Sequence, residues 1–375
     1  MAVASAAEDD PRRLEIRAWL AAHPQPTARQ LAEAGYVAPH WPEPWGLGAD
    51  PELQLIIDDE LTRAGITRPD NAIAIGWAGP TIAAGGTPEQ QQKWLPGILD
   101  GSEEWCQLFS EPEAGSDLAA LRTMAVLDGD EYVVNGQKVW STWANRSRWG
   151  ILLARTDPTA AKHKGISYFV LDMETPGIEV RKIIEMTGGN HFNETFFTDV
   201  RIPVANRIGA ENEGWRLAKV TLGNERVSLS EGGVLWGMGP NPAESWAEIV
   251  RRGASRDPLL RQRAAAAYSQ THILGLLGDK IVEAMVQGQD PGPEASIRKA
   301  LADVQGQELM SLVKDLLGSE GMLGEQNEES EETDVWHWGY LFSRALTIGG
   351  GTTEIQRNIL GERILGLPRE PTPDR

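Results

Sequence analysis

A carboxylate set among apolar neighbours is a simple proton acceptor. Glu225, in TLGNERVSL, stands one helical turn from Thr221, Leu222, Ser228 and Leu229. Desolvation between Leu222 and Leu229 would raise its pKa toward the value a general base needs near neutrality. Arg226 lies about 100° around the helix and need not neutralise it. A structural ion pair fits the same residues. Three further segments have the composition of ligand contacts. FSEPEAGSD, Phe109 to Asp117, offers the hydroxyls of Ser110 and Ser116 beside Ala114 and Gly115, where backbone N–H groups could form a nest for an anion or a polar ring. VWSTWA places Trp140 and Thr142 two apart; on a strand they share a face, an indole for stacking beside a hydroxyl for hydrogen bonding. IGGGTTEIQR puts Gly349, Gly350 and Gly351 ahead of a helix start, with Thr352 or Thr353 as cap and Glu354 in the first turn. A polar connection, a sandwich-core tryptophan and an ordinary glycine turn are the plain alternatives for these three.

The elements that must position these residues fall into three zones. Residues 1–104 read as helices joined by Pro/Gly-rich loops. Leu53, Ile56, Ile57 and Leu61 form one helical stripe, and Thr87-Pro88-Glu89-Gln90 is a capping box with Pro at the first helical position. VAPHWPEPWGLGADP is too rich in Pro and Gly to be either element. Residues 105–212 turn β: EYVVNGQKVW carries Asn135-Gly136, a strong hairpin signal, and WGILLARTD, GISYFVLDM, GIEVRKI and ETFFTDVRIP follow at strand length. An antiparallel all-β domain is expected there. From 213 to 375 the period returns to 3.6 in GWRLAKVTLGNERVSLSE, RQRAAAAYSQTHILGLLGDKIVEAMVQG and PEASIRKALADVQGQELMSLVKDLLG, with Pro293 marking a helix start and GEQNEESEETD an acidic loop.

Composition narrows the chemistry. The 375 residues carry 54 acidic and 35 basic side chains, a formal charge of −19, which argues against a nucleic-acid role. Cys106 is the single cysteine, so an internal disulfide or CxxC site is excluded and a reducing, cytoplasmic setting is expected. No apolar run approaches the ~20 residues of a membrane helix, and the acidic start is unlike a signal peptide. GxGxxG before a helix, GxxxxGK[ST], GxSxG and HExxH are absent, and none of the six histidines pairs at i,i+4. Rossmann, P-loop, serine-hydrolase and zinc-protease readings lose their support, and no metal site is expected.

Taken in order, GTPEQQQKWLPGILDG, FSEPEAGSD, NGQKVWST, FFTDVRIP, NEGW and GGTTEIQRNILGERILG resemble blocks of the acyl-CoA dehydrogenase family, from about Trp41 to the C-terminus. That resemblance implies an α+β multidomain fold: an N-terminal helical domain, a central antiparallel β-barrel or sandwich and a C-terminal four-helix bundle. It implies FAD, held between the β domain and the C-terminal helices without a Rossmann motif. Ser110 would contact the flavin ring and Ser116 the flavin or substrate phosphates, Trp140 would cover the isoalloxazine and Thr142 would lie near N5. Gln107, Phe109, Thr352 and Glu354 join the cofactor contacts, and Arg252 aligns loosely with an arginine reaching a neighbouring subunit's FAD. Gly350 and Gly351 would bind substrate, the Gly350 N–H and a ribityl hydroxyl polarising the acyl carbonyl. The commonest family pattern has its base where Gly350 stands; isovaleryl-CoA and long-chain members carry it on a helix in a segment ending Glu-Arg, where this chain has Glu225. RRGASRDP replaces the usual Arg-x-x-Phe-Gly run and Asp315 a usual Gln, as in a bacterial heterotetrameric branch acting on bulky, steroid-derived acyl-CoAs. The implied partners are an acyl-CoA, electron-transfer flavoprotein and a homo- or hetero-oligomer, a dimer of dimers. The alternatives are a half-site subunit of a heteromeric enzyme and a flavin monooxygenase or oxidase on the same fold.

Overall fold

The computed structural model describes residues 7–231, 235–287, 294–322 and 335–369. It divides into two compact units, one holding residues up to Glu185 with Asn190–Asn224, the other Met186–Gly189 and the chain from Glu225. Pro293 and the acidic GEQNEESEETD run lie outside the described residues. Among the described residues no helix is long and apolar enough to cross a membrane, and no cluster of three His, Cys, Asp or Glu side chains could hold a metal ion.

The first unit opens with helices whose starts are written locally. α1 (Pro11–Ala22) is capped by Asp10. α2 (Ala28–Glu33) has a Thr27/Gln30 capping box. α3 (Pro51–Arg63) buries Ile56, Ile57 and Leu61, the expected stripe, with Leu53 packed at its edge. A π-helical turn (Ala72–Ala78) runs into α4 (Gly79–Gly85), and α5 (Pro88–Leu99) shows the expected Thr87/Gln90 box. Each cap satisfies N–H groups that the first helical turn leaves free.

The eight strands are β1 (Trp105–Leu108), β2 (Met124–Asp128), β3 (Glu131–Lys138), β4 (Trp149–Arg155), β5 (Ile166–Asp172), β6 (Ile178–Lys182), β7 (Asn193–Pro203) and β8 (Arg207–Ile208). They form one sheet in the order β6-β7-β3-β2-β4-β5-β8, with β1 beside β4. The sheet is mixed rather than wholly antiparallel, because β4 runs parallel to both β1 and β2. Its centre is buried on both faces, so β4 and β5 read as continuous apolar runs. Ile151 and Leu153 face the core shared with α3 to α5; Leu152 and Ala154 face a second core with Tyr132, Val134, Phe197 and Val200. Cys106 lies in that second core, fully buried, and burial pushes its thiol up to about 12.

Asn135-Gly136 does not turn the chain. The hairpin lies at Gly129-Asp130, between Asp128 and Glu131, and Asn135-Gly136 is an irregularity inside β3 where the register against β7 shifts. Asn135 exchanges hydrogen bonds with Asp199 across the ladder. A side chain on Gly136 would meet the Thr123 Cα at 2.7 Å, so glycine serves close approach here.

α6 (Gly214–Glu231) begins in the first unit and carries the chain into the second. There α7 (Pro242–Arg251), α8 (Pro258–Val286), α10 (Val335–Phe342) and α11 (Thr353–Ile359) all pack on α9 (Glu294–Leu317). A buried polar row on α9, Lys299, Asp303 and Gln305, accompanies Leu309, Met310, Leu312 and Val313.

Candidate functional site

In the first unit, β1 delivers Gln107, half-buried, and Phe109, buried edge-on against Tyr168 with ring centroids 5.8 Å apart. Ser110 is half-buried, and its carbonyl accepts from Val139 N at 2.9 Å. Reciprocal backbone bonds between Glu111 and Ala114 close a turn. Gly115, Ser116 and Asp117 then stand exposed, with Asp117 paired to Lys162.

Trp140 and Thr142 do not share a strand face. β3 ends at Lys138, and Trp140 and Trp143 adopt left-handed backbone at φ 61° and 55°. For tryptophan this is strained backbone that surrounding structure must enforce. The restraint is visible on both sides. Ser141 N donates to the Asn193 carbonyl at 3.0 Å, Asn193 Nδ2 returns to the Ser141 carbonyl at 3.0 Å, and Trp143 N donates to His191 O at 2.8 Å. The Trp140 indole is 58% exposed and touches Phe192 edge-on at 5.9 Å. Thr142 is half-buried. Ser141 Oγ, Asn193 Oδ1 and Thr195 Oγ1 are buried without a hydrogen-bond partner among the described residues. An exposed indole on strained backbone, in segments whose buried polar atoms have bonding capacity to spare, fits a flat heteroaromatic group with polar edges such as a flavin.

In the second unit the glycine run is shaped by its neighbours. Gly350 and Gly351 have φ 65° and 90°, and a side chain on Gly351 would meet Gln356 Nε2 at 2.7 Å. Gln356 is buried and donates to the carbonyls of Gly350 and Gly351, both at 3.2 Å. Thr352 caps α11 by accepting from Ile355 N at 3.3 Å. Glu354 is exposed; its own backbone N–H and the Thr352 hydroxyl hold its carboxyl below the usual range. Thr353 Oγ1 and Gln356 Oε1 are buried and unpartnered among the described residues. Gln307 Nε2 donates to Ser343 O and Thr347 Oγ1, both at 3.1 Å, and Lys299 Nζ to Leu346 O at 3.3 Å, fastening the segment before the glycines.

Glu225 lies within α6, and its side chain is outside the described residues. Arg252 is held by two acids, Glu248 at 2.9 Å and Glu320 at 2.6 Å. Asp315 is exposed and paired with Arg263.

Sequence reasoning missed Glu111, Lys138, Asn193, Lys299, Asp303, Gln307 and Gln356. One signal was present: Lys138 has the same strand parity as the buried Tyr132 and Val134. A lysine at an inward position needs a partner inside the protein. For the amides no periodic signal exists, because they answer backbone groups brought close only by folding.

Comparison with known proteins is consistent along the chain. The family descriptions "Acyl-CoA dehydrogenase, N-terminal domain", "middle domain" and "C-terminal domain" match residues 3–102, 106–200 and 212–365. Acyl-CoA dehydrogenase FadE34 of Mycobacterium tuberculosis is 44% identical over 340 residues, covering 90% of this chain but 46% of FadE34, so the chain spans under half of that relative. Acyl-CoA dehydrogenase IpdE1 of the same organism is 39% identical over 359 residues, covering 95% of this chain and 89% of IpdE1. Among solved structures, the ChsE4-ChsE5 complex from Mycobacterium tuberculosis superposes with TM-score 0.77 at 31% identity, covering 99% of this chain and 100% of that one. The Tcur3481-Tcur3483 steroid ACAD gives 0.78 at 29% identity, covering 96% and 97%.

Proposed function

The chain belongs to the acyl-CoA dehydrogenase family of flavin-dependent oxidoreductases acting on CH–CH bonds, and from that premise we propose that it converts a bulky acyl-CoA to its trans-2-enoyl-CoA with FAD as cofactor. The observation that carries the reading is Trp140, an exposed indole kept on left-handed backbone by Ser141, Asn193 and His191. Strained backbone of this kind clusters at ligand-binding and active sites. As the family resemblance implies, Gln107, Phe109, Ser110, Ser116, Trp140, Thr142, Thr352 and Glu354 would hold the cofactor. FAD, when bound, supplies the acceptor for the hydride leaving the substrate β-carbon.

The chain's own residues do the rest. Glu225 takes the α-proton. The Gly350 N–H polarises the thioester carbonyl, which makes that proton removable. The absence of a side chain at Gly350, with Gly351 beside it, leaves room for a wide acyl group, and Ser116 serves the substrate's phosphates. The indole of Trp140 shields the reacting atoms from water. Electron-transfer flavoprotein would take up the electrons afterwards. The neighbour named as a steroid ACAD supports a steroid-type substrate, and the two-chain name of ChsE4-ChsE5 supports a heteromeric assembly, for which we propose a dimer of dimers. Exposed Tyr268, Ile273 and Leu276 on α8, with Leu301 and Val304 on α9, support the oligomeric part. In the assembly Arg252 would exchange its present acids for a neighbouring subunit's FAD. The lone cysteine suits a cytoplasmic setting.

Anaerobic titration of the purified protein with a panel of acyl-CoAs, alone and with candidate partner chains, tests this through bleaching of the visible flavin band. Glu225→Gln is expected to keep its flavin and to lose bleaching by several orders of magnitude. Turnover of that variant within about tenfold of the parent would require another base. Activity confined to short straight-chain acyl-CoAs would remove the bulky-substrate part.

A further inference from the structure

Lys138 is the last residue of β3 and is completely buried. An ammonium in such a place is tolerated only when its donors are used and its charge is met. Its Nζ donates to the Phe109 carbonyl at 2.9 Å and to Glu111 Oε1 at 2.8 Å. Glu111 is itself nearly buried and accepts from Arg122 N at 2.6 Å and Thr123 N at 2.9 Å. Burial drives the lysine down to about 8 despite the carboxylate. Burial also pushes the Glu111 carboxyl up, but the Lys138 charge and the bonds from Lys138, Thr123 and Arg122 outweigh it and hold the acid below its usual range.

This pair sits at a junction. One ammonium ties the carbonyl of Phe109, the residue before Ser110, to the strand end that leads within two residues to Trp140. The next backbone bond, Val139 N to Ser110 O at 2.9 Å, extends the same tie. The two segments of the first unit assigned to the flavin are therefore joined to each other through Lys138 and Glu111, although neither side chain belongs to the assigned contacts. Apolar residues of similar volume often stabilise a core as well as a buried ion pair does, but they carry no direction. An ammonium aimed at one carbonyl and one carboxylate fixes the register of both segments.

We infer that Lys138 and Glu111 are positioning residues for the flavin, setting the distance between the Ser110 segment and the left-handed Trp140 segment. The inference rests on the assignment of those two segments to FAD in the proposed function.

The test uses the holoprotein and reads flavin release rate, the fine structure of the bound flavin spectrum and the unfolding midpoint together. Glu111→Gln keeps the volume and most of the hydrogen bonds. It is expected to fold and to release flavin about tenfold faster, a shift of about 1.4 kcal/mol. Lys138→Met is expected to release flavin faster still and to blur the spectrum. The double variant Lys138→Met/Glu111→Leu removes both charges; it is expected to regain much of the unfolding midpoint without regaining flavin affinity. Should Glu111→Gln release flavin at the parental rate, or should the double variant recover affinity along with its midpoint, the pair is merely structural and the inference is overturned. Trp140→Ala separates this from the underlying assignment. If it leaves flavin release unchanged, the assignment fails whatever Lys138 does; if it speeds release while Glu111→Gln does not, only the positioning role fails.

Discussion

Lys138 in the first unit and Lys299 in the second are both buried, both donate to a backbone carbonyl next to a proposed contact segment, and both face a carboxylate. The acids respond differently. Glu111 accepts two backbone N–H groups besides its lysine and is held below the usual carboxyl range. Asp303 accepts from Lys299 at 2.6 Å and, among the described residues, from nothing else; burial prevails over that one cation and pushes its carboxyl up to about 6. Each acid faces a lysine; Glu111 adds two backbone donors to the charge and bond of Lys138, and Asp303 has no such addition to set against its burial.

Breaking each pair from the lysine side shows the contrast most directly. Lys138→Met leaves the buried Glu111 without its cation and is expected to cost about 3–5 kcal/mol in equilibrium denaturant unfolding at neutral pH. Lys299→Met should cost less, about 2–3 kcal/mol, because Asp303 can take up a proton. The pH dependence sharpens the difference. Folded Asp303 binds its proton near pH 6, against 3.8 for an ordinary aspartate, so its unfavourable contribution is fully present above about 6 and fades as the pH falls through that value toward 3.8. Glu111 runs the other way: its favourable contribution is present above the ordinary value of 4.5 and is lost only as the pH falls below it. The effect of Asp303→Asn on unfolding should therefore shrink between pH 7 and pH 5, while the deficit of Glu111→Gln should be retained. Equal shrinkage would erase the distinction between the two anchors.

Smaller effects come from the local fastening that only the second segment uses. Gly351→Ala forces a side chain onto φ 90° and against Gln356 Nε2, and should cost about 1–3 kcal/mol by unfolding midpoint. Thr352→Ala removes the α11 cap for about 1 kcal/mol, with Thr352→Ser close to the parent.

The helix starts and the strand-rich middle were legible because they depend on neighbours in sequence: Thr87 with Gln90, the Ile56–Leu61 stripe and the apolar runs of β4 and β5. Asn135-Gly136 misled because a two-residue turn and a ladder irregularity ask for the same residues; the choice is made by Asp199 and Thr123, distant in sequence. The sequence places Trp140 on a strand, which the structure does not, since nothing before it announces that β3 stops at Lys138. The anchors themselves escaped notice for the same reason. Glu111 and Lys138 are 27 residues apart and Gln307 and Thr347 are 40 apart, so their pairing exists only after the chain has folded.

The lone thiol of Cys106, sealed inside the sheet and protonated up to about pH 12, has a practical corollary. Thiol-directed dyes and spin labels should leave the folded parent chain unmodified. A single cysteine introduced on any exposed turn therefore becomes a unique attachment point without first deleting the native one.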